Sequence, residues 1–212
     1  PPSPQHTPSD LIHFVESDFI TWMDRYHREH PGELTPDETD ESLMILAKKG
    51  IEHEKGFLAS LQAEGKHDYH YEPWDTKLAL KPKPYYIIQL CCYAEILQSI
   101  QAVLPATISV VLGSKDTKAF RTEDYYFYYK QLKARFLTQQ AAFDPTQRPT
   151  PTGLEDHGRW STIAKQILEE KDDLSRVANI RKTQIKRLSQ NGITTQAKYE
   201  QISQSENSRR GL

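Results

Sequence analysis

The residue types that could carry chemistry are concentrated in one short segment, Trp74-Asp75-Thr76-Lys77-Leu78. Asp75 and Lys77 are two positions apart, and side chains two apart on a β-strand point to the same side. A carboxylate can hold a hard divalent cation, and a neighbouring ammonium can orient an attacking water or neutralise a phosphate. The pair therefore indicates the chemistry of a metal-dependent phosphodiesterase, provided that a strand positions it.

A strand, a turn and a helix are predicted around this pair. Residues 71–80 are rich in aromatic and β-type residues, which is typical of a strand. The Lys-Pro-Lys-Pro stretch that follows breaks the strand, and Pro84 suits the first turn of a helix. Apolar residues cover most faces of residues 85–101, so we expect a buried helix there.

Gln89 and Tyr93 are further candidates for the same site. They lie one helical turn apart and so share a face of the predicted helix. Standing alone, such a pair would be an ordinary helix surface. Because they follow Asp75 and Lys77 closely in the chain, we interpret them as residues that surround the same site.

Another helix is predicted upstream, over residues 40–62. Its start is indicated by T-P-D-E at residues 35–38, a threonine cap followed by proline and an acidic residue. Gly50 lies inside this helix, where glycine costs about 1 kcal/mol relative to alanine, which suggests close approach of another backbone. His53 can face the core from the same flank, either as a hydrogen-bonded core residue or as a metal ligand.

These motifs together resemble a known nuclease family. G-I-E-H-E at residues 50–54, D-T-K-L-A at residues 75–79 and Q-L-C-C-Y at residues 89–93 look like the RecB-type branch of the PD-(D/E)xK superfamily. The chain is most similar to bacterial RecB-like nucleases that often precede a superfamily 1 helicase on one polypeptide. The similarity covers most of the chain and includes residues 9–26, 110–113, 124–129 and 174–188.

The resemblance implies an α/β fold, a restriction-endonuclease-like core with a mixed central sheet flanked by helices. It implies that Asp75 and His53 bind the metal and that Lys77 is the catalytic lysine. Gln89 and Tyr93 would brace the site or touch the DNA backbone. Thr76 would offer its backbone carbonyl to the metal, and we expect the spare carboxylate of Glu54 to be solvated rather than to bind a second ion.

The implied activity is hydrolysis of DNA phosphodiester bonds with Mg²⁺ or Mn²⁺ as cofactor. Single-stranded DNA or DNA ends are favoured as substrate by analogy with the family, and a superfamily 1 helicase is the implied partner. The alternative is a catalytically inactive nuclease-fold module that binds DNA or acts as a scaffold for a helicase. A pure protein-interaction domain fits the acidic N-terminal part but leaves D-T-K and Q-x-x-x-Y unexplained.

One part of the family pattern is absent. The family places another metal-binding aspartate on the strand before D-x-K, in a Gly-x-x-Asp context. Asp68 is the only aspartate between the predicted upstream helix and Asp75, and its surroundings do not resemble that strand. Either the segment has been lost, or a stretch is missing from the sequence between about Gly65 and His67; we favour the second, because loss would leave the D-x-K strand exposed at an edge.

The number and spacing of the cysteines argue against a cysteine-bound metal centre. Many relatives carry cysteines near both ends that bind an iron–sulfur cluster, whereas Ser17 and Gly158 stand at the comparable places here. Cys91 and Cys92 are adjacent on the predicted helix, point about 100° apart and cannot clamp one metal. We therefore expect no iron–sulfur cluster, no zinc site and no disulfide.

Composition agrees with an intracellular enzyme module. The chain has 212 residues, enough for one sizeable core and an appendage, and 37% of them are hydrophobic. No apolar run approaches membrane length, and the Pro-rich first residues do not resemble a signal peptide. Two unpaired cysteines suit the cytoplasm, so we expect a cytoplasmic protein without a membrane partner.

Charge is distributed unevenly along the chain. Residues 1–72 carry 15 acidic and 6 basic residues, a balance of −9, whereas residues 176–198 carry 6 basic and no acidic residues, a balance of +6. The basic stretch could meet phosphates or simply form a solvated helical face. The proposed metal site falls outside it.

The basic stretch predicts a helix-hairpin-helix-like region over residues 159–212. That motif grips the phosphate backbone through backbone amides and basic side chains, and Asn179 stands near its usual hairpin glycine, where asparagine tolerates left-handed geometry. Residues 1–143 would form the nuclease core, and residues 144–158, rich in proline and threonine, a linker. Packing against a helicase domain is the rival role for the candidate DNA-backbone residues, Arg181, Lys182, Lys186 and Arg187.

Overall fold

The computed structural model describes residues 6–38, 48–49, 52 and 71–210, with side chains described as far as Gln204. The described elements form a mixed α/β fold. The helices are α1 (Pro8–Glu16), α2 (Asp18–Glu29), α3 (Pro84–Gln101), α4 (Glu123–Ala141), α5 (Ser161–Glu170), α6 (Lys182–Gln190) and α7 (Gln196–Arg210), and the strands are β1 (Trp74–Lys77), β2 (Thr107–Leu112) and β3 (Thr117–Arg121).

Backbone contacts divide the chain into two units, each made of two segments. Unit 1 contains Pro1–Ile12 and Thr39–Phe143, and unit 2 contains His13–Glu38 and Asp144–Leu212. The division falls directly after Phe143. The segment from His13 to Glu38 lies in unit 2, together with residues from the far end of the sequence.

The sheet of unit 1 is mixed. β1 pairs in parallel with β2, with Asp75 opposite Val110 and Lys77 opposite Leu112, and β2 pairs antiparallel with β3. β2 is the apolar centre, because its side chains from Ile108 onward are all buried. In the described part of the sheet, β1 lies at one edge.

α3 and α4 cover this sheet. α3 begins at Pro84 as predicted, because the fixed φ of proline suits the first helical position, and α3 packs against β2. β1 is shorter than the predicted strand over residues 71–80, because the chain bends directly after Lys77. Thr122 precedes α4; its side chain makes no cap hydrogen bond, and its backbone carbonyl accepts the first helical bond from the Tyr126 N–H.

A charged cluster on Glu95 ties α3 to α4. Its carboxylate accepts hydrogen bonds from the hydroxyl of Tyr129 at 2.5 Å, from Lys130 at 2.9 Å and from Lys133 at 2.5 Å. Burial raises the pKa of Glu95, but the hydrogen bonds from Lys133, Tyr129 and Lys130 outweigh it and lower the pKa to about 2. The cluster therefore stays ionised at neutral pH and fixes the helix that carries Gln89 and Tyr93.

Gly113, directly after β2, allows the chain that follows β1 to approach closely. A Cβ at this position would lie 2.5 Å from the backbone oxygen of Leu78, and the Gly113 N–H donates to the Ala79 carbonyl at 3.2 Å. A backbone atom cannot move away as a flexible side chain can. Gly113 therefore holds the end of the strand that carries Asp75 and Lys77.

We expect the substitution Gly113→Ala to destabilise the protein by about 1–3 kcal/mol, because the added methyl group forces β2 and the segment after β1 apart. Urea unfolding followed by circular dichroism measures the change. Lys118→Ala, on the exposed face of β3, is the matched control and should stay within about 0.5 kcal/mol of the wild type. Equal stability of the two variants would show that the close approach is not a constraint.

The core of unit 2 explains why residues 13–38 belong there. Phe19, Ile20 and Met23 of α2 pack into one buried cluster with side chains from the far end of the sequence: Trp160, Ala164 and Ile167. These contacts bury large apolar side chains, which is the dominant favourable term in folding. Local sequence patterns do not reveal such a pairing.

A buried carboxylate, Asp24, joins the same two segments. Its Oδ1 accepts from the indole N–H of Trp160 at 2.8 Å and from the guanidinium of Arg159 at 2.9 and 2.7 Å, and its Oδ2 lies 2.7 Å from His13 Nδ1. Burial raises the pKa of Asp24, but the hydrogen bonds from His13, Trp160 and Arg159 outweigh it and lower the pKa to about 2.

Residues 144–158, predicted as a linker, carry no α-helix or strand but are packed into unit 2. The Asp144 carbonyl accepts from the indole N–H of Trp22 at 3.0 Å, and the Gly153 N–H donates to Ser175 Oγ at 2.7 Å. His157 is buried and bonds the Thr152 carbonyl through Nε2. The segment is thus an ordered part of the unit rather than a free connection.

The C-terminal helices are joined by short turns. α6 ends at Gln190, and the Ile193 N–H beyond it donates back to the Leu188 carbonyl. Asn179 adopts a left-handed conformation with φ of 59°, which asparagine tolerates. The element before Asn179 is only a 3₁₀ turn over Leu174–Arg176, and α5 before that ends at Glu170.

The predicted helix over residues 40–62 lies almost wholly outside the described residues; within it, Lys48, Lys49 and Glu52 are described and are helical. Gly50, His53 and Glu54 are not described. Of the helices that the structure describes, none is long and apolar enough to span a membrane.

Candidate functional site

Asp75 and Lys77 project to the same side of β1 and meet. Lys77 Nζ lies 2.8 Å from Asp75 Oδ2, and the two side chains are 24% and 20% exposed. The alternation of side chains along a strand produces this arrangement. The pair is accessible from solvent on one side, as a site for a substrate requires.

α3 brings Gln89 and Tyr93 to the same place. Lys77 Nζ donates to Gln89 Oε1 at 3.2 Å, and Gln89 Nε2 donates to the Tyr93 hydroxyl at 2.9 Å. The four residues singled out from the sequence as Asp-x-Lys and Gln-x-x-x-Tyr therefore form one continuous polar chain. The amide of Gln89 joins the lysine to the tyrosine and fixes where the ammonium lies.

Tyr86 completes the surroundings of the lysine. Lys77 Nζ lies 5.2 Å from the centre of the Tyr86 ring, a cation–π distance. Burial raises the pKa of Tyr86 to about 12, with further contributions from Tyr85 and Asp75, so the phenol stays neutral. Tyr86 was not among the site residues expected from the sequence, since its place two turns before Tyr93 carries no separate signal.

The same oxygen of Asp75 that faces Lys77 is shielded from solvent. Asp75 Oδ2 lies 2.8 Å from Lys77 Nζ but accepts no hydrogen bond in the part of the chain that the structure describes. The ammonium partly offsets the cost of burying this oxygen, and its unused hydrogen-bonding capacity is compatible with contact to a divalent cation.

The rest of a metal site is not seen among the described residues. No group of three or more His, Cys, Asp or Glu side chains is arranged to hold a metal in residues 6–38 and 71–204. His53, the other predicted ligand, lies outside the described residues. Glu72 precedes the site, but its carboxylate accepts from the Thr107 N–H at 3.2 Å.

The segment before Asp75 bears on the missing aspartate. The sequence reads Gly65, Lys66, His67 and Asp68, and these four residues lie outside those that the structure describes. The stretch expected to be missing between Gly65 and His67 stays a prediction, and Asp68 is the only aspartate between Gly65 and Asp75 in the sequence as printed. The carboxylate ligands that remain available to a metal are correspondingly few.

The two cysteines lie in α3 as free thiols. Cys91 is buried, and burial, assisted by Cys92, raises the pKa of its thiol to about 12. A thiol in that state is a poor nucleophile and a poor ligand. Ser17 is the buried residue before α2, and Gly158 begins a 3₁₀ turn with φ of 48°.

The candidate DNA-backbone residues lie at the start and along α6 in unit 2. Arg181, Lys182, Lys186 and Arg187 are all exposed. Lys182 is partly engaged, since its Nζ lies 3.2 Å from Glu155. Exposed basic side chains of this kind can reach phosphates, and an exposed ion pair as weak as Lys182–Glu155 does not prevent it.

No protein-family model, no curated protein and no solved structure matches this chain.

Proposed function

We propose that the protein is a metal-dependent DNA nuclease with a RecB-like PD-(D/E)xK core, acting in the cytoplasm together with a superfamily 1 helicase. The observation that carries this proposal is the continuous chain from Asp75 through Lys77 and Gln89 to Tyr93. Asp-x-Lys on β1 and Gln-x-x-x-Tyr on α3 meet at Lys77. A purely structural ion pair between Asp75 and Lys77 would not need Gln89 and Tyr93 as well.

The proposed roles combine the contacts around Lys77 with the family resemblance. Asp75 would hold Mg²⁺ or Mn²⁺ through Oδ2, which accepts no hydrogen bond among the described residues, and His53 is the second ligand that the resemblance implies. When bound, the metal polarises the phosphate and supplies a nucleophilic water. Lys77 holds the attacking water or the phosphate oxygen in place, and Gln89 and Tyr93 keep the ammonium in position. The water loses a proton as its oxygen bonds to phosphorus, the P–O ester bond breaks, and the leaving oxygen takes up a proton from solvent.

A second candidate function is a catalytically inactive module that binds DNA and acts as a scaffold for the helicase. One observation favours it, namely the absence of the second aspartate segment from the chain. Without that ligand the metal would be held by fewer protein groups and bound more weakly. The basic residues of α6 serve either function, because contacts with the phosphate backbone do not require catalysis.

Cleavage assays separate the two functions. We expect the purified protein to degrade a 5′-labelled single-stranded oligonucleotide with Mn²⁺, and to leave it intact in EDTA. Asp75→Asn should reduce the rate by about 100-fold or more, because the amide binds the cation weakly. Asp116→Asn, in the turn before β3, is the matched control. Binding of DNA without cleavage in any divalent metal would support the scaffold.

A further inference from the structure

A cleft opens beside the polar chain, between α3 and the segment that leads into β1. Its volume is about 380 Å³, and it is lined mainly by apolar and aromatic residues: Tyr71, Glu72, Pro73, Trp74, Tyr93, Ile96 and Leu97. A cavity of this size and lining is within the range of small-molecule sites. It belongs wholly to unit 1.

Tyr93 connects the cleft to the candidate site. Its hydroxyl accepts from Gln89, which in turn accepts from the ammonium of Lys77, while the residue itself lines the cleft. A ligand in the cleft would therefore lie next to a phosphate held at Lys77. This adjacency is the relation between a base and the phosphate of its own nucleotide.

The mouth of the cleft is held in place with its aromatic ring exposed. The Tyr71 N–H donates to Gln101 Oε1 at 2.9 Å, and Gln101 Nε2 donates back to the Tyr71 carbonyl at 3.2 Å. The Tyr71 residue is nevertheless 67% exposed, and Ile96 across the cleft is 50% exposed. A fixed backbone that presents an exposed ring is suited to stacking on a flat ligand, since little freedom is lost on binding.

The charges around the cleft are compatible with a nucleotide. Glu72 is the acidic residue of the lining, and its carboxylate is engaged by the Thr107 N–H. The positive charge nearest along the polar chain is Lys77. A base would therefore meet rings and aliphatic groups, and its phosphate would meet an ammonium.

We infer that this cleft binds the unpaired base of the nucleotide next to the phosphate at Lys77, with Tyr71 as its stacking surface. The inference rests on the proposed nuclease function. It assigns the substrate class by structure: single-stranded DNA, or a frayed end. In an intact duplex each base is stacked and paired, and taking it out costs free energy. The cleft thus selects unpaired strands.

Fluorescence anisotropy with a labelled single-stranded 12-mer, measured in EDTA, tests the inference without any cleavage. Tyr71→Ala should weaken binding by about tenfold, and binding of a blunt duplex should change less than twofold. The backbone hydrogen bonds to Gln101 remain in this variant, so the segment keeps its place. Tyr71→Phe keeps the ring and should restore wild-type affinity. Phe127→Ala removes an equally exposed aromatic from α4 and should have no effect.

The possible outcomes test base binding in the cleft separately from the proposed nuclease function. If Tyr71→Ala binds the single strand with wild-type affinity and the protein cleaves DNA with Mn²⁺, the cleft does not bind a base, but the proposed nuclease function stands. Equal losses for single strand and duplex also overturn base binding in the cleft. If Tyr71→Ala loses affinity for the single strand alone and the protein never cleaves DNA, the cleft binds a base, but the protein is not a nuclease.

Discussion

Replacing Lys77 with alanine is expected to lower the rate of DNA cleavage by at least about 100-fold while leaving the protein folded. The ammonium is the centre of the polar chain, paired with Asp75 and held by Gln89 and the Tyr86 ring. Removing a positioned charge that acts on the transition state costs this much or more in comparable sites. Single-turnover cleavage of single-stranded DNA with Mn²⁺ measures the effect.

The controls for this prediction separate position from charge. Lys118→Ala removes an exposed lysine from β3 and should retain full activity. Lys77→Arg keeps the charge, but the planar guanidinium cannot occupy the position of Nζ between Asp75 and Gln89. We therefore expect a large loss of activity in this variant as well. Circular dichroism checks that each variant is folded. Cleavage by Lys77→Ala at the wild-type rate would remove the lysine from the mechanism.

The second large effect concerns stability rather than activity. Asp24→Ala should lower the free energy of unfolding by about 3 kcal/mol. The buried indole N–H of Trp160 loses its acceptor, and the guanidinium of Arg159 loses its bidentate partner. Urea unfolding followed by tryptophan fluorescence measures the loss. Glu29→Ala, which breaks the exposed pair with Arg25 on the same helix, should change stability by less than about 0.5 kcal/mol.

The contribution of Asp24 also has a defined pH dependence. Its pKa is lowered from 3.8 to about 2 in the folded protein. A carboxylate whose pKa is depressed by folding stabilises fully above its unfolded pKa and loses that contribution as the pH falls through the folded value. The stability difference between wild type and Asp24→Asn should therefore be constant above about pH 5 and shrink between pH 4 and pH 2. A difference that grows on acidification would contradict this assignment.

The polar chain was accessible to sequence reasoning because its spacing obeys two local rules. Residues two apart on a strand and four apart on a helix share a face, which places Asp75 with Lys77 and Gln89 with Tyr93. That the two pairs face each other followed only from the family resemblance. The position of Tyr86 and the shielding of Asp75 Oδ2 from solvent depend on side-chain packing, for which the sequence has no periodic signal.

Of the whole fold, the division into two units was the hardest feature to predict from the sequence. Residues 144–158 have the proline and threonine content of a linker, yet the Asp144 carbonyl and Gly153 N–H find partners far away in the sequence. Asp24 likewise reads as a polar residue of an amphipathic helix. Its partners Arg159 and Trp160 are 135 and 136 positions later, and pairing over such separations leaves no local pattern.

The discontinuous construction of unit 2 has a consequence for synthesis on the ribosome. Phe19, Ile20 and Met23 of α2 emerge early, but their packing partners, from Trp160 onward, are translated more than a hundred residues later. Unit 1 can close once Phe143 has left the exit tunnel, whereas α2 must wait with its apolar face uncovered. A nascent chain halted before Trp160 should accordingly recruit chaperones through α2, and release of the complete chain should end that recruitment.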